Sequence, residues 1–324
     1  MSKGFFLPLV SVLLVSHLIT AYGLLDSYVQ LVLMYVGINI ILSVSLNLIN
    51  GYMGEFSVGH AGFMAIGAYT SAILTVRMFP DALAPWLFPI AVVAAGVVTA
   101  IVGALLAIPS FKTRGDYLAI VTLAFGMIVK SVLENMDSLG AARGFLGISK
   151  YTNLTWVVFW AMAAVWMVRN FIYSSFGRGV LSVREDEIAA SAAGVNTRQV
   201  KLFAFTLSSF FAGVAGALYA HLLMFINPKM FDLTKSTEML IMVYLGGIGS
   251  IGGSIVGAMI YTVLLELLRP LGIWRMVLMP IMLVLLMILR PRGIMGLSEF
   301  RWLIPSVGVS SKGAKIVQDD AVGD

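Results

Sequence analysis

The sequence has no cysteine among its 324 residues, and only 11% of those residues are charged. Without cysteine the chain can form no disulfide, no thiolate zinc site and no iron–sulfur cluster, and it has no cysteine nucleophile. Soluble domains are about 25% charged, so the shortage of charge excludes a water-soluble enzyme of this length. The three histidines are far apart in sequence, which argues against a histidine-rich metal site: His17, His60 and His221.

Apolar residues take the place of the missing charges. They make up 60% of the chain, and the mean hydropathy is +0.96. Because so little polar surface is available, lipid must cover much of what the chain exposes. The sequence therefore predicts an all-α, polytopic membrane helix bundle of about ten transmembrane helices. The candidate spans are 4–22, 27–53, 60–76, 86–109, 117–133, 154–168, 202–224, 239–245 with its glycine-rich continuation, 253–268 and 276–289.

The net charge of +5 reflects 21 basic residues that are scattered among apolar runs and form no patch for nucleic acid. In a membrane protein such charges indicate topology. If the N-terminus is cytoplasmic and all ten stretches cross, 13 of the 21 basic residues fall on the inner side and 8 on the outer side. This moderate bias predicts that both termini are cytoplasmic. Residues 305–324 are polar and too short to fold alone, so we expect a disordered cytoplasmic tail there.

The longest polar interruption, 177–201, separates two apolar stretches. Its acidic residues precede the helix-favouring run IAASAA, then Gly194 as a stop signal and Asn196 as a plausible N-cap of the next helix. This pattern predicts a short amphipathic helix on the cytoplasmic face. Such a helix is either an ordinary capped connection or a docking element for a soluble partner. The charged residues gathered here are Arg184, Glu185, Asp186 and Glu187.

Four segments with distinctive sequences follow one another between Leu46 and Gly296. They read LNLINGYMGEFSVGHAGFMAIGAYTSAIL, GRGVLSVREDEIAASAAGVNTRQVKLFAFTLSSFFAGVAGALYA, LGGIGSIGGSIVGA and RPRGIMG. In this combination and order, the chain resembles the permease subunits of ATP-binding-cassette importers for branched-chain amino acids, of the LivM type within the LivH/LivM family. The resemblance implies a permease that carries leucine, isoleucine and valine across a bacterial inner membrane.

The resemblance also implies an assembly. A type II importer-like permease domain over 1–304 is expected to pair with a LivH-like permease subunit, two cytoplasmic ATP-binding subunits and a periplasmic substrate-binding protein. The chain lacks G-x-x-x-x-G-K-[ST], the usual phosphate cradle for ATP. We therefore expect ATP and Mg²⁺ on the partner subunits, and no catalytic, cofactor-binding or metal site in this chain.

In the wider importer class, a cytoplasmic Glu-Ala-Ala, three residues and Gly form the coupling helix that fits a cleft of the ATPase. The matching frame here runs from Ile188 to Gly194, with Ile188 in the place of the motif's Glu and Glu187 one position earlier. The resemblance thus predicts a coupling segment at 178–196. Its expected ATPase-coupling residues are Arg184, Glu185, Asp186, Glu187, Ala190 and Gly194.

A second polar segment, 50–70, mixes glycines with polar side chains between two apolar helices. A helix broken at membrane depth exposes backbone groups that only protein, water or substrate can satisfy, so this segment is a candidate lining of the translocation pathway. The alternative is a cytoplasmic turn in which Glu55 and His60 are merely solvated. The predicted pathway residues are Tyr52, Glu55, Ser57, Gly59, His60, Gly247 and Gly249.

The segment 247–252 matches G-x-G-x-x-G, the dinucleotide fingerprint. That motif requires a preceding strand and a βαβ unit, whereas this one lies between predicted membrane spans. A glycine hinge or a tight helix crossing is the better interpretation. Near helix ends, two charged pairs are expected to neutralise locally: Lys130 with Glu134, and Glu266 with Arg269.

Two other functions stay open at this stage. The same architecture could import urea or short-chain amides, because the substrate-binding protein sets much of the selectivity. An ion-coupled secondary transporter is the second alternative, although such proteins often place carboxylates near the bilayer midplane. The central spans here have almost no acidic residues, and the richest acidic cluster is predicted to be cytoplasmic. A membrane enzyme is disfavoured, since no His/Asp or Ser/His constellation lies within the spans.

Overall fold

The computed structural model describes residues 3–23, 25–80, 83–111, 117–272, 274, 277–278, 281, 284–285, 288, 293–296, 298–300 and 303–304. Eleven α-helices lie within these residues, where the β contacts are limited to one bridge between Phe145 and Ile226. The helices are α1 Lys3–Tyr22, α2 Ser27–Asn47, α3 His60–Ile73, α4 Ala84–Ser110, α5 Tyr117–Glu134, α6 Leu154–Ile172, α7 Ser175–Glu185, α8 Glu187–Ala192, α9 Thr197–Leu223, α10 Leu233–Gly246 and α11 Ile251–Leu267. π-Helical turns extend α2 over Leu48–Met53 and α3 over Leu74–Met78.

Six of these helices are long and apolar enough to cross a membrane, which confirms the all-α polytopic architecture: Ser27–Met53, His60–Met78, Ala84–Ser110, Tyr117–Glu134, Leu154–Ile172 and Thr197–Leu223. Shorter apolar helices are found over Ser11–Thr20 and Ile251–Leu267. The predicted span 276–289 falls largely outside the described residues, and the predicted tail 305–324 falls wholly outside them. The number of ten spans therefore stays a prediction.

Helix α9 is the centre of the bundle and packs against α2, α3 and α4. Glycine makes its closest approaches possible. A Cβ atom on Gly67 of α3 would lie 2.2 Å from the carbonyl oxygen of Gly213, and one on Gly216 would lie 2.0 Å from that of Met64. The α3–α9 contact thus depends on the absence of side chains, because the obstructing atoms are backbone and cannot rotate away.

We expect Gly67→Val to destabilise the folded protein by about 1–3 kcal/mol or more, because overpacking at a backbone contact forces two helices apart. Gly126→Ala is the matched control, since the nearest atom to its Cβ would be 3.8 Å away. Thermal unfolding in nanodiscs measures both. The expected result is a lower unfolding temperature for Gly67→Val only, and equal unfolding temperatures for the two variants would contradict this packing.

The residues of α9 give a scale of depth through the bundle. At 1.5 Å per residue, Ser208 lies about 10 Å along the helix from Lys201 and about 20 Å from His221. Ser208 donates to the carbonyl oxygen of Ser45, and the Ser45 hydroxyl lies 2.9 Å from Nε2 of His60, the first residue of α3. Helix α3 therefore begins inside the bundle, and the non-helical residues 54–59 enter it from the end at which Lys201 lies.

Helix α10 also begins inside the bundle. Its 14 residues are about 21 Å long, which is shorter than the roughly 30 Å of a bilayer's hydrocarbon core. The hydroxyl of Ser236, in its first turn, accepts a hydrogen bond of 3.2 Å from the backbone N–H of Ala61 in α3. Two short helices, α3 and α10, thus start next to each other in the interior of the bundle.

Candidate functional site

The predicted coupling segment forms two helices separated at Asp186, whereas one short helix was expected. Asp186 has an extended backbone, and its carboxylate accepts hydrogen bonds from the N–H groups of Ile188 (2.8 Å) and Ala189 (3.0 Å). An aspartate that caps α8 in this way ends α7 and fixes the start of the next helix. The acidic run therefore does more than supply charge, because one of its members sets the angle between α7 and α8.

Helix α8 ends where the sequence predicts. Gly194 has a φ of +85°, and the N–H of Val195 bonds to the carbonyl oxygen of Ala190 at 3.0 Å, which is the Schellman type of helix end. Asn196 caps α9 through a 3.1 Å hydrogen bond from the N–H of Gln199. The expected stop and cap are thus confirmed, and they hold α8 as a rigid element between α7 and α9.

The α7–α8 junction and the first turn of α8 expose one large apolar side chain and two carboxylates. Ile188 is 73% exposed, and Glu185 and Glu187 are also exposed at their side chains. Ala190 is buried against the rest of the protein. The first turn of α8 therefore carries an exposed apolar side chain on a helix whose two ends are fixed by caps.

A buried lysine joins this segment to the bundle. Nζ of Lys201 in α9 lies 2.6 Å from Glu55 of the 54–59 segment and 2.9 Å from Glu187 of α8, and its side chain is only 8% exposed. Arg184 adds a second link, since its Nη1 donates to the carbonyl oxygen of Gly51 at 3.3 Å. We call Glu55, Glu187 and Lys201 the Lys201 junction. Through it, α8 and the 54–59 segment are bonded to the same ammonium group.

The other polar residues predicted between 50 and 60 are buried or partnered. Ser57 is buried, and its backbone N–H donates to Oδ1 of Asn50 at 3.2 Å. Gly59 packs so closely that a Cβ there would lie 2.2 Å from the carbonyl oxygen of Thr122. His60 is fully buried. The interpretation in which Glu55 and His60 are merely solvated is therefore wrong, because protein groups hold both of them.

The glycine-rich turn between α10 and α11 is held by Asn47 of α2. Gly247 and Gly249 have φ values of +136° and +77°, which L side chains rarely adopt. Asn47 Oδ1 accepts from the N–H of Gly249 at 2.9 Å, and its Nδ2 donates to the carbonyl oxygen of Ser250 at 2.8 Å. Beyond the turn, a Cβ on Gly257 would lie 2.1 Å from the carbonyl oxygen of Met242. Of the two interpretations given for the G-x-G-x-x-G segment, the tight helix crossing is present, and a hinge stays a prediction.

Comparison with known proteins places this architecture in one family. Residues 28–289 match the family model described as "Branched-chain amino acid transport system / permease component". The chain belongs to this family. The chain is 34% identical to the high-affinity branched-chain amino acid transport permease LivM of Escherichia coli K12, over 81% of the chain and 68% of that protein.

Two further relatives show the range of the family. The permease is 27% identical to LivH of Escherichia coli K12, over 80% of the chain and 91% of that protein. It is also 27% identical to the guanosine ABC transporter permease NupQ of Bacillus subtilis, over 57% of the chain and 62% of that protein. No solved structure matches the chain.

Sequence reasoning missed two polar residues of the permease. Lys201 was counted only as one of the basic residues that indicate topology. Glu299 was not singled out, yet it accepts hydrogen bonds from the Tyr52 hydroxyl (2.9 Å) and from the N–H groups of Ile251 and Gly252, at the start of α11. The signal for Lys201 was available, because a lone lysine four residues into an apolar helix needs a carboxylate partner.

Proposed function

We propose that this chain is a membrane permease subunit of an ATP-driven importer that carries leucine, isoleucine and valine across a bacterial inner membrane. The family match over most of the chain is the observation that supports this function. The chain is a multi-pass membrane permease with the helices such a role needs. Its proposed domain organisation is a permease domain over 1–304 and a cytoplasmic tail over 305–324, with ten spans and both termini cytoplasmic.

The proposed partners are a LivH-like permease subunit, two cytoplasmic ATP-binding subunits and a periplasmic substrate-binding protein. The match to LivH supports a heterodimer of homologous permeases. ATP and Mg²⁺ are bound by the ATPase subunits in this proposal, so this chain holds no cofactor and catalyses no reaction itself. Energy enters because ATP binds the two conformations of the assembly with different affinity.

In this proposal the coupling segment 178–196 is the surface on which an ATPase subunit docks. The exposed Ile188 on the capped helix α8 supports it. The Lys201 junction then carries the movement of α8 to the 54–59 segment, to which Glu55 belongs. Arg184, Glu185, Asp186, Glu187, Ala190 and Gly194 keep their proposed coupling role, with Asp186 and Gly194 acting through the ends of α8 and Ala190 through packing.

The proposed translocation pathway passes the segment that leads into α3. Ser57 Oγ and His60 Nδ1 are buried and have no hydrogen-bond partner in the described part of the chain. Buried polar atoms are normally satisfied, so atoms like these suit a segment that water or substrate reaches in another state of the cycle. The break in the helices before α3 is bordered by the other predicted pathway residues, Tyr52, Glu55, Gly59, Gly247 and Gly249. Movement of this segment would open the proposed pathway.

Uptake by the complete transporter tests this function. The permease is co-purified with its partners, reconstituted in liposomes and given labelled leucine, isoleucine, valine, urea and acetamide, with and without ATP inside. We expect ATP-dependent uptake of the three amino acids and co-purification of ATP-binding subunits. Uptake of urea or acetamide alone, or uptake by this chain in an ion gradient without ATP, would contradict the proposal.

A further inference from the structure

A cavity of about 150 Å³ lies between α3, α5 and the start of α10. Its walls are mainly apolar and include Leu123, Met127 and Phe231. Two charged residues of opposite sign, Lys130 of α5 and Asp232 at the start of α10, line the same cavity. None of these five residues belongs to the coupling segment or to the predicted pathway.

The cavity reaches from the first turns of α3 and α10 to the exposed side of α5, where Met127 is 58% exposed. Ala61, Gly62 and Ser236 line it, and Ala61 and Ser236 are the residues at which α3 and α10 are joined by a hydrogen bond. Measured along the axis of α9, the hydrogen bond between Ala61 and Ser236 lies more than about 10 Å from Lys201.

Lys130 is available for a ligand. The sequence predicts a pair between Lys130 and Glu134, four residues on, but within the described ranges Lys130 makes no ion pair. By contrast, the pair predicted between Glu266 and Arg269 is present at 3.0 Å. The prediction for Lys130 was therefore wrong, and its ammonium group shares the cavity with the Asp232 carboxylate, with which it makes no ion pair.

Asp232 retains acceptor capacity. It caps α10 by accepting a 3.2 Å hydrogen bond from the N–H of Lys235, and its other oxygen is 3.5 Å from the Thr234 hydroxyl. A carboxylate can accept about four hydrogen bonds, so the cap leaves room for a further donor. The cavity thus presents one positive group, one negative group and an apolar wall.

We propose that this cavity is a transient binding site for a zwitterionic amino acid with an aliphatic side chain. Lys130 binds the substrate carboxylate, Asp232 binds its α-ammonium group, and the side chain packs on Leu123, Met127 and Phe231. A cavity of about 150 Å³ with apolar walls accommodates benzene, which has more carbon atoms than the side chain of leucine. This inference rests on the proposed function and adds the chemistry that excludes urea and acetamide, which lack this pair of charges.

Four variants of the complete transporter test the site by ATP-driven leucine uptake. Lys130→Met and Asp232→Asn each remove one charge, and asparagine keeps the helix cap because it is a favoured N-cap residue. Losing one charge-assisted contact is expected to lower the initial uptake rate by about 10- to 100-fold. Lys130→Arg should retain most of the uptake. Lys229→Met removes an exposed neighbouring charge that does not line the cavity and should have no effect.

Photolabelling of the wild-type transporter provides a readout that does not depend on how the variants fold. The probe is a leucine analogue with a diazirine in its side chain, activated during ATP-driven turnover and mapped by mass spectrometry. Labels are expected in peptides that contain 123–130 or 231–236. Wild-type uptake rates in both Lys130→Met and Asp232→Asn, or labels confined to other parts of this chain, would overturn the site while leaving the proposed function intact. A wild-type transporter that takes up no branched-chain amino acid would refute the proposed function itself.

Discussion

Replacing Ile188 by lysine is expected to abolish stable binding of the ATP-binding subunit to this permease. Ile188 is the large apolar side chain in the first turn of α8 and is 73% exposed in the isolated chain. A residue at the centre of an interface contributes about 2 kcal/mol or more, and burying a lysine ammonium in its place adds a desolvation cost. The measurement is the amount of ATP-binding subunit that co-purifies with the Ile188→Lys permease in detergent. We expect a loss of about 30-fold in affinity or more.

Leu146→Lys is the matched control for Ile188→Lys. Leu146 is 70% exposed, and it lies in the connection between α5 and α6, which the proposed topology places on the outer side. The same change of side chain there should leave co-purification unchanged. Since both positions are exposed, neither substitution should alter folding by more than about 0.5 kcal/mol. Co-purification of the ATP-binding subunit with the Ile188→Lys permease at the wild-type level would contradict docking at α8.

Replacing Lys201 by methionine is expected to separate ATP hydrolysis from transport. The substitution leaves the exposed face of α8 in place, so the ATPase should still bind. It removes the ammonium group that joins Glu187 of α8 to Glu55 of the 54–59 segment. Removing one partner of a fully buried ion pair costs about 3–5 kcal/mol. The cost is smaller here because the side chains of Glu55 and Glu187 are 21% and 48% exposed, so water can solvate both carboxylates once the link is lost. We expect ATP hydrolysis to persist while leucine uptake falls by at least about tenfold.

Two further variants distinguish a mechanical link from a loss of stability. Glu55→Gln together with Lys201→Met removes the uncompensated buried carboxylate and should recover the unfolding temperature without recovering transport. Lys201→Arg keeps the positive charge and should keep part of the transport. If the double variant transports at the wild-type rate, the Lys201 junction stabilises the fold but does not transmit movement. With the Glu55→Gln single variant added, the two single variants and the double variant form a cycle that isolates the coupling between Glu55 and Lys201.

Most of the helices can be predicted from the sequence. A segment that spans lipid must be a long apolar run whose backbone hydrogen bonds are satisfied within the segment. Helices α4, α5 and α9 are predicted directly from this requirement. Helix α10 follows only over its second half, predicted as 239–245, because its first turns contain Ser236 and Glu238 and look like a connection. It is helical because Asp232 caps it and Ser236 bonds to α3, and a contact between distant parts of the chain is not visible in a local pattern.

The same reasoning explains which parts of the site were predictable. The end of α8 at Gly194 and the cap at Asn196 are local signals, and the structure has both. The Lys201 junction joins residues that are 146 and 14 positions apart, so composition and spacing do not reveal it. Glu299 is similar, since its partners Tyr52 and Ile251 are separated from it by 247 and 48 positions. Local sequence therefore indicates where a site begins and ends, while the pairing of charges across the bundle requires the fold.

The absence of cysteine makes the most direct test of the coupling surface possible, because an introduced cysteine is the only thiol of this subunit. In the assembled transporter, Ile188→Cys is treated with a short cross-linker that joins a thiol to a nearby amine, and Leu146→Cys is treated in parallel. Docking at α8 predicts that position 188 is cross-linked to the ATP-binding subunit and that position 146 is not. A cross-link from position 146 to that subunit, or none from position 188 in an assembly that hydrolyses ATP, would contradict it.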